Sequence, residues 1–260
     1  HFNPNMIKFI IFILFFIKFI NASLIRVTSV QPFLGFLDNS TQIETFLGIQ
    51  FAVANRFEKA ELIYYDDNEN DRIVNATVFG PPCHSLVARN GFIKGDPAES
   101  EADVCLSINI YRPASLSKHE KLLPVLFFVH GGAFVLGSSK NQITTPDPAT
   151  FAATADVVVV TFNYRLGPFG FLKYFDVPTN LGFHDQVAAL RWTHHHTERF
   201  GGDKNRITIA GQSAGAMSCC FLSTSKLAKP YFESVILQSP LCDYQFQKVE
   251  DGILQTKEAM

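Results

Sequence analysis

The stretch that decides the fold is R-I-T-I-A-G-Q-S-A-G, at residues 206–215. Its β-branched I-T-I run is typical of a strand, and the small residues after Ser213 are compatible with a helix. A strand, a sharp turn and a helix in succession predict that Ser213 sits at the apex in a strained backbone conformation, exposed as a nucleophile. Gly211 and Gly215 would let strand and helix approach each other beneath it. The alternative is a chance match to G-x-S-x-G in a chain with 16 glycines.

A second stretch favours the same chemistry. Residues 123–129 (L-P-V-L-F-F-V) predict a buried strand that leads into H-G-G-A-F at 130–134, here called the glycine loop. Consecutive glycines after a core strand let backbone N–H groups point into a cleft, where they can stabilise the oxyanion of an acyl transfer. We therefore expect the amides of Gly131, Gly132 and Ala214 to form an oxyanion hole. A flexible turn at the end of the strand is the alternative.

Composition excludes some classes of function. The length of 260 residues and the apolar content suit a single large domain or two small ones, and no linker divides the chain. The 22 basic and 24 acidic residues are nearly balanced, and no basic cluster with interleaved aromatics is present. We therefore expect no nucleic-acid partner. No group of residues has the spacing of metal ligands, so neither a metal nor another cofactor is predicted.

The N-terminal residues 1–22 are predicted to lie outside the fold. A lysine after Met6, an apolar run at 9–20 and small residues up to Ala22 are typical of a secretory signal peptide cleaved after Ala22. An uncleaved signal anchor is the alternative. The apolar run is shorter than the ~20 residues of a membrane span, and no later stretch reaches that length. We therefore predict a secreted chain without a stable membrane span, whose residues 23–260 form one domain.

The cysteine residues are consistent with a secreted protein. Cys83 and Cys105 flank a loop rich in glycine, proline and charge, and an oxidising compartment would permit them to pair across it. Cys219 and Cys220 are predicted to be small buried residues of the helix after the serine. Cys242 has no evident partner.

The sequence also offers two acceptors for N-linked glycans. The triplets that begin at Asn39 (N-S-T) and at Asn75 (N-A-T) have the required spacing, which fits a secreted chain. Such triplets also arise by chance.

Strand and helix patterns alternate through the chain. Strands are predicted at 24–30, 43–51, 106–111, 123–129 and 157–162, and helices at 148–156 and 185–200. Buried strands that alternate with helices predict an α/β fold around a mainly parallel sheet flanked by helices. The earliest strands are expected to form an antiparallel edge.

Eight motifs occur in a fixed order along the chain. They are F-L-G-I at 46–49 with R-F at 56–57, C-L at 105–106 with Asn109, the glycine loop, N-Y-R-L-G at 163–167, D-Q at 185–186, F-G-G-D at 200–203, G-Q-S-A-G at 211–215 and L-Q-S at 237–239. In this order they resemble the type-B carboxylesterase and cholinesterase family, from about residue 24 to the end of the chain.

The resemblance implies an α/β-hydrolase fold and the hydrolysis of small carboxylic esters by a triad of serine, acid and histidine. It makes Ser213 the nucleophile, assigns the oxyanion hole to the three amides named above, and makes Cys83 and Cys105 the first disulfide.

The sequence departs from the family in one respect. The triad of this fold follows the order serine, acid, histidine along the chain. No histidine follows Ser213, and acidic residues such as Glu233 and Asp243 come too early to match the family's acid. We therefore expect the acid and the histidine beyond residue 260, so that the chain is the N-terminal part of a longer enzyme. A protein without a complete triad is the alternative.

The histidines before Ser213 are expected to have structural roles. His194, His195 and His196 are consecutive on a predicted helix, so they point about 100° apart and cannot converge on one proton. They are predicted to be partly exposed. His130 is expected to brace the glycine loop. Asp185 is expected to make a structural contact near the site, and an acid close to the site is the alternative.

Features of the subfamilies that this sequence resembles narrow the expected substrate and the class of protein. Cholinesterases bind a quaternary ammonium on a tryptophan in the first cysteine loop, and no tryptophan lies between Cys83 and Cys105, so choline specificity is not expected. Gln212 with the R-F and D-Q motifs resembles juvenile hormone esterases, although general carboxylesterases share all three. The other classes are a non-catalytic adhesion or binding protein similar to the neuroligins, an inactive fragment, or another serine acyl hydrolase such as a lipase or amidase. The oligomeric state is not predicted.

Overall fold

A computed structural model describes residues 22–27, 33–65, 73–85, 102–115, 121–140, 144–173, 177–244 and 250–251. Residues 1–21 of the predicted signal peptide lie outside these ranges, and so does most of the loop between Cys83 and Cys105.

The described strands form one large sheet and one small pair. They are β1 Ala22–Val27, β2 Phe33–Asp38, β3 Ile43–Gln50, β4 Ala52–Val53, β5 Glu61–Leu62, β6 Val74–Asn75, β7 Ser107–Pro113, β8 Leu123–Val129, β9 Val158–Phe162, β10 Gly202–Gln212 and β11 Ser234–Gln238. The main sheet has the order β1-β2-β3-β7-β9-β8-β10-β11, with β6 beside β2, while β4 and β5 pair separately.

The direction of the strands changes across the main sheet. The pairs from β1 to β9 are antiparallel, and β9, β8, β10 and β11 run parallel. The antiparallel N-terminal edge and the parallel centre predicted from the sequence are both present. β2 and β11 were not predicted: Gly35 interrupts the apolar run of β2, and β11 has only the short apolar run V-I-L, most of which is exposed in the structure.

Most of the described helices connect the parallel strands. They are α1 Ala102–Cys105, α2 Pro148–Ala155, α3 Gly167–Phe171, α4 Leu181–His196 and α5 Ala214–Thr224, with 3-10 turns at Thr197–Phe200 and Lys229–Tyr231. The predicted start of α4 at Asp185 is wrong. Asn180 is a residue type that often precedes a helix, but the prediction did not use this signal; in the structure Asn180 is in the left-handed region and makes no side-chain cap. None of the helices described here has the length and apolar character needed to cross a membrane.

Helices cover both faces of the sheet, because alternate side chains of β9 pack against different helices. Successive side chains of a strand point to opposite faces. Val158 and Val160 pack in the large core with Trp192 of α4, whereas Val159 packs in a smaller cluster with Ala152 of α2. The central strands are therefore buried on both sides, which explains their continuous apolar sequence.

Two disulfides are present in the described chain. Cys83 and Cys105 are bonded, with their Cα atoms 4.9 Å apart, and Cys220 is bonded to Cys242, with Cα atoms 5.7 Å apart. The predictions that Cys220 is a buried apolar residue and that Cys242 has no partner are wrong, because the chain after β11 returns to α5. Cys219 is buried and free, as predicted, and burial raises the pKa of its thiol to about 12.

The two disulfides are expected to differ in their sensitivity to reduction. Cys83 and Cys105 are buried, whereas Cys242 is exposed, and thiol exchange requires access to a sulfur atom. Under native conditions, low dithiothreitol followed by iodoacetamide should label Cys220 and Cys242 first. Mass spectrometry of the peptides measures the order, and equal labelling of all four residues would contradict the prediction.

Candidate active site

Ser213 lies at the turn between β10 and α5. Its backbone angles are φ 56° and ψ −124°, in a region that costs a non-glycine residue about 1–3 kcal/mol. Two hydrogen bonds support this conformation: Ser213 N–H donates to the carbonyl of Gln238 in β11, and Met217 N–H donates to the Ser213 carbonyl, both at 2.9 Å. The turn is therefore strained, as the sequence predicts, and is held from β11 and from α5.

Two glycines permit the close packing beneath this turn. A Cβ on Gly211 would overlap the backbone of Gly215. A Cβ on Gly215 would overlap the carbonyl oxygen of Val129 in β8 and would lie 2.9 Å from the carbonyl oxygen of His130. Strand β10, helix α5 and the end of β8 thus meet where only glycine fits.

The glycine loop contacts the serine turn. A Cβ on Gly131 would lie 3.5 Å from Ser213 Cβ and 2.7 Å from the carbonyl oxygen of Gln212. The next three residues all have positive φ: 111° at Gly132, 52° at Ala133 and 62° at Phe134. Two of these are not glycine, so the loop, like the turn, holds a costly conformation. The two stretches singled out in the sequence are therefore brought together.

The amide groups of this region differ in their hydrogen bonding. Gly131 N–H donates to the carbonyl of Thr144 at 3.4 Å, which is long for such a bond. Within the described chain, the N–H groups of Gly132, Ala133 and Ala214 have no acceptor. For Ala214 this follows from its place at the start of α5, where N–H groups lack a partner within the helix. The sequence prediction did not include Ala133, although a run of N–H groups after two glycines is a signal that could have indicated it.

The Ser213 hydroxyl is not engaged by the described residues. It makes no cap hydrogen bond to α5, and none of the described histidines hydrogen-bonds to it. The described part of the chain thus holds a serine beside several unpaired amides, without the base that would activate it.

His130 braces the glycine loop, as the sequence predicts. Its Nδ1 lies 2.8 Å from the carbonyl oxygen of Gly131, and its ring stacks on Tyr164 with centroids 4.3 Å apart. Burial lowers the pKa of His130 to about 4. Because a carbonyl oxygen can only accept, Nδ1 carries the proton of the neutral ring.

Asp185 makes a buried structural contact. Its carboxylate accepts from Arg165 Nη2 at 2.6 Å and Nε at 2.7 Å, and from the Arg165 backbone N–H at 3.0 Å. Arg165 Nη1 also donates to the carbonyl of Glu58 at 2.7 Å. This pair joins α4 to the segment after β9, in agreement with the structural role expected for Asp185.

The three consecutive histidines differ in burial, and the rings of His194 and His195 lie edge-on with centroids 5.8 Å apart. His195 is exposed and His194 is partly buried. The prediction of partial exposure is wrong for His196, which is buried, stacks on Trp192 at 4.4 Å and lies edge-on to Tyr65 at 6.1 Å. The segment that contains Tyr65 covers the last turn of α4, a long-range contact that helical periodicity does not show.

The predicted glycan acceptors are both exposed. Asn39 lies in the turn between β2 and β3, and Asn75 ends β6. Asn75 Oδ1 accepts from the Thr77 hydroxyl at 2.7 Å. Their glycosylation stays a prediction.

Comparison with known proteins identifies relatives of this chain. A model of the carboxylesterase family matches residues 26–258. The chain is 37% identical over 204 residues to acetylcholinesterase-1 of Trittame loki, covering 76% of this chain and 35% of that protein. It is 39% identical over 205 residues to juvenile hormone esterase of Heliothis virescens, covering 75% and 35%. The chain thus spans about a third of the length of these relatives.

Comparison with solved structures shows that the fold is also shared. A PNB esterase superposes with a TM-score of 0.75 at 31% identity, over 89% of this chain and 47% of that one. The family match, the shared fold and the ordered motifs agree. The chain belongs to the carboxylesterase family and has its α/β-hydrolase fold.

Proposed function

We propose that this chain carries the nucleophile and the oxyanion hole of a serine esterase that hydrolyses small carboxylic esters. The observation that carries the proposal is the strained Ser213 turn beside the unpaired amides of the glycine loop. Ser213 is half-buried rather than fully exposed, and its costly backbone conformation at the turn is what a presented nucleophile requires.

The reaction would proceed through an acyl-enzyme. Ser213 Oγ attacks the ester carbonyl carbon while a histidine accepts its proton, and the carbonyl oxygen becomes an oxyanion. Collapse of this intermediate expels the alcohol, which takes the proton from the histidine. Water, deprotonated by the same histidine, then attacks the acyl carbon, and the acid leaves as Ser213 regains its proton.

The hydrogen bonding indicates which amides would hold the oxyanion. Gly132 and Ala214 have N–H groups without a partner among the described residues, which supports their predicted role. Gly131 N–H would first have to leave the carbonyl of Thr144. Ala133 N–H lies in the same loop and is unpaired, so it fits the third position better than Gly131.

The base and the acid of the triad would be supplied by a part of the whole protein outside this chain. We infer that they lie beyond residue 260, which agrees with the share of the two curated relatives that this chain covers, 35% of each. The two disulfides are consistent with an oxidising compartment. We therefore propose that the protein is secreted, that its signal peptide is cleaved after Ala22, and that it carries glycans at Asn39 and Asn75.

Labelling with a fluorophosphonate tests the proposal on the whole protein. The probe should modify the parent and not a Ser213→Ala variant, because the probe reacts only with an activated serine. A panel of short esters, matched amides and long-chain triglycerides then separates an esterase from an amidase or a lipase. Absence of labelling in the folded parent would favour a non-catalytic binding protein, and faster cleavage of amides or triglycerides would contradict the substrate class.

A further inference from the structure

The peptide that joins His130 to Gly131 is the point where three parts of the fold meet. The carbonyl oxygen of His130 accepts from the Tyr164 hydroxyl at 2.9 Å. The same oxygen lies against the start of α5, since a Cβ on Gly215 would approach it to 2.9 Å. The position of this carbonyl therefore sets the spacing between the glycine loop and the serine turn.

Tyr164 is a rigid and permanent donor to this carbonyl. It follows β9, whose residues are all buried, and it is itself fully buried. Burial raises the pKa of Tyr164 well above its ordinary value, so the hydroxyl keeps its proton at any working pH. Its ring also stacks on His130, with centroids 4.3 Å apart and planes 21° apart. Tyr164 thus holds both the backbone and the ring of His130.

His130 passes this constraint to the next peptide. Its Nδ1–H donates to the carbonyl of Gly131 at 2.8 Å. A peptide bond is planar and trans, so the N–H of Gly132 points opposite to that carbonyl. The hydrogen bond from His130 consequently fixes the direction of the Gly132 N–H. Gly137 packs against the same two groups, because a Cβ there would lie 2.7 Å from Gly131 O and 2.8 Å from His130 Nδ1.

We propose that Tyr164, acting through His130, is a positioning residue that aims the Gly132 N–H at the substrate oxygen. The inference rests on the proposed esterase function and adds to it a side chain outside the glycine loop and the serine turn. Tyr164 touches no reacting atom. Its contribution is to the orientation of an oxyanion donor, which should affect the transition state more than substrate binding.

A Tyr164→Phe variant of the whole protein tests the proposal. Loss of an oxyanion donor typically costs about 10² to 10³ in rate, and a misdirected donor should cost less. We expect kcat for a short ester to fall by about tenfold while KM changes by less than about twofold. The affinity for a trifluoromethyl ketone, which forms an oxyanion on the serine, should fall by the same factor as kcat/KM.

Tyr111→Phe is the matched control. Tyr111 lies in β7, is also buried, and its hydroxyl interacts with Thr161 rather than with the glycine loop. Both variants lose one buried hydroxyl, so their melting temperatures should fall by similar amounts, but Tyr111→Phe should keep its kcat. Equal kcat values for the two variants would overturn the inference.

His130 supplies a second measurement if Tyr164→Phe folds poorly. In His130→Asn the amide Nδ2 can replace Nδ1 as donor to Gly131 O, whereas His130→Ala cannot. We expect His130→Asn to retain several-fold more kcat than His130→Ala, and equal losses would count against the proposal. If the folded parent shows no Ser213-dependent hydrolysis, the proposed function fails and the inference with it. An active parent with an unimpaired Tyr164→Phe overturns the inference alone.

Discussion

Replacing Ser213 with alanine should reduce kcat for a short ester by about 10⁵ to 10⁶-fold in the whole protein, because triad nucleophiles contribute roughly that much. The variant loses the only atom that would form the acyl-enzyme and keeps the neighbouring amides. Initial rates with a chromogenic ester measure the effect.

Ser223→Ala is the matched control for this change. Ser223 lies on the same helix, α5, and its hydroxyl donates to the carbonyl of Cys220 at 2.6 Å. It is half-buried and has no role in the proposed chemistry, so the kcat of Ser223→Ala should stay within about twofold of the parent. Hydrolysis that persists in Ser213→Ala at the parental rate would remove Ser213 from the mechanism.

Asp185→Ala should lower the free energy of unfolding by about 3–5 kcal/mol, because removal of one partner leaves a buried charge unpaired. The side chains of Arg165 and Asp185 are 1% and 0% exposed, and three hydrogen bonds join the two residues. Urea unfolding of the whole protein, with the melting temperature as a second measure, tests the prediction.

An exposed ion pair provides the comparison. Arg206 and Asp203 are bonded at 2.8 Å, but their side chains are 49% and 22% exposed. Asp203→Ala should therefore cost less than about 1 kcal/mol. A double variant, Asp185→Leu with Arg165→Met, should recover part of the loss of Asp185→Ala, since it removes both charges. Similar costs for Asp185→Ala and Asp203→Ala would contradict this account.

The parts of the site that follow from local sequence were predictable. The strand before the glycine loop is found at Leu123–Val129, as expected, because a short continuous apolar run is typical of a strand that is buried in a sheet. The turn at Ser213 was equally clear, since its glycines leave room for a close approach that other residues prevent.

Other features depend on contacts between distant segments, which no local pattern contains. The Cys220–Cys242 disulfide requires knowing that the chain after β11 returns to α5. The burial of His196 requires knowing that Tyr65 covers it. The backbone of Ala133 has a positive φ of 52°, which alanine seldom adopts, so its own identity did not indicate that conformation. The hydrogen bond from Tyr164 to the His130 carbonyl of the glycine loop likewise joins the ends of two neighbouring strands.

The Cys220–Cys242 disulfide also bears on local opening of the sheet. β11 pairs with β10 and gives its Gln238 carbonyl to the backbone N–H of Ser213. Because Cys242 follows β11 and is tied covalently to α5, fraying of β11 cannot carry Gln238 far from the serine. The tether keeps the effective concentration of that acceptor high, so rebinding is fast. Amide hydrogen exchange at Ser213 should consequently be slow in the oxidised protein and accelerate once this disulfide is reduced.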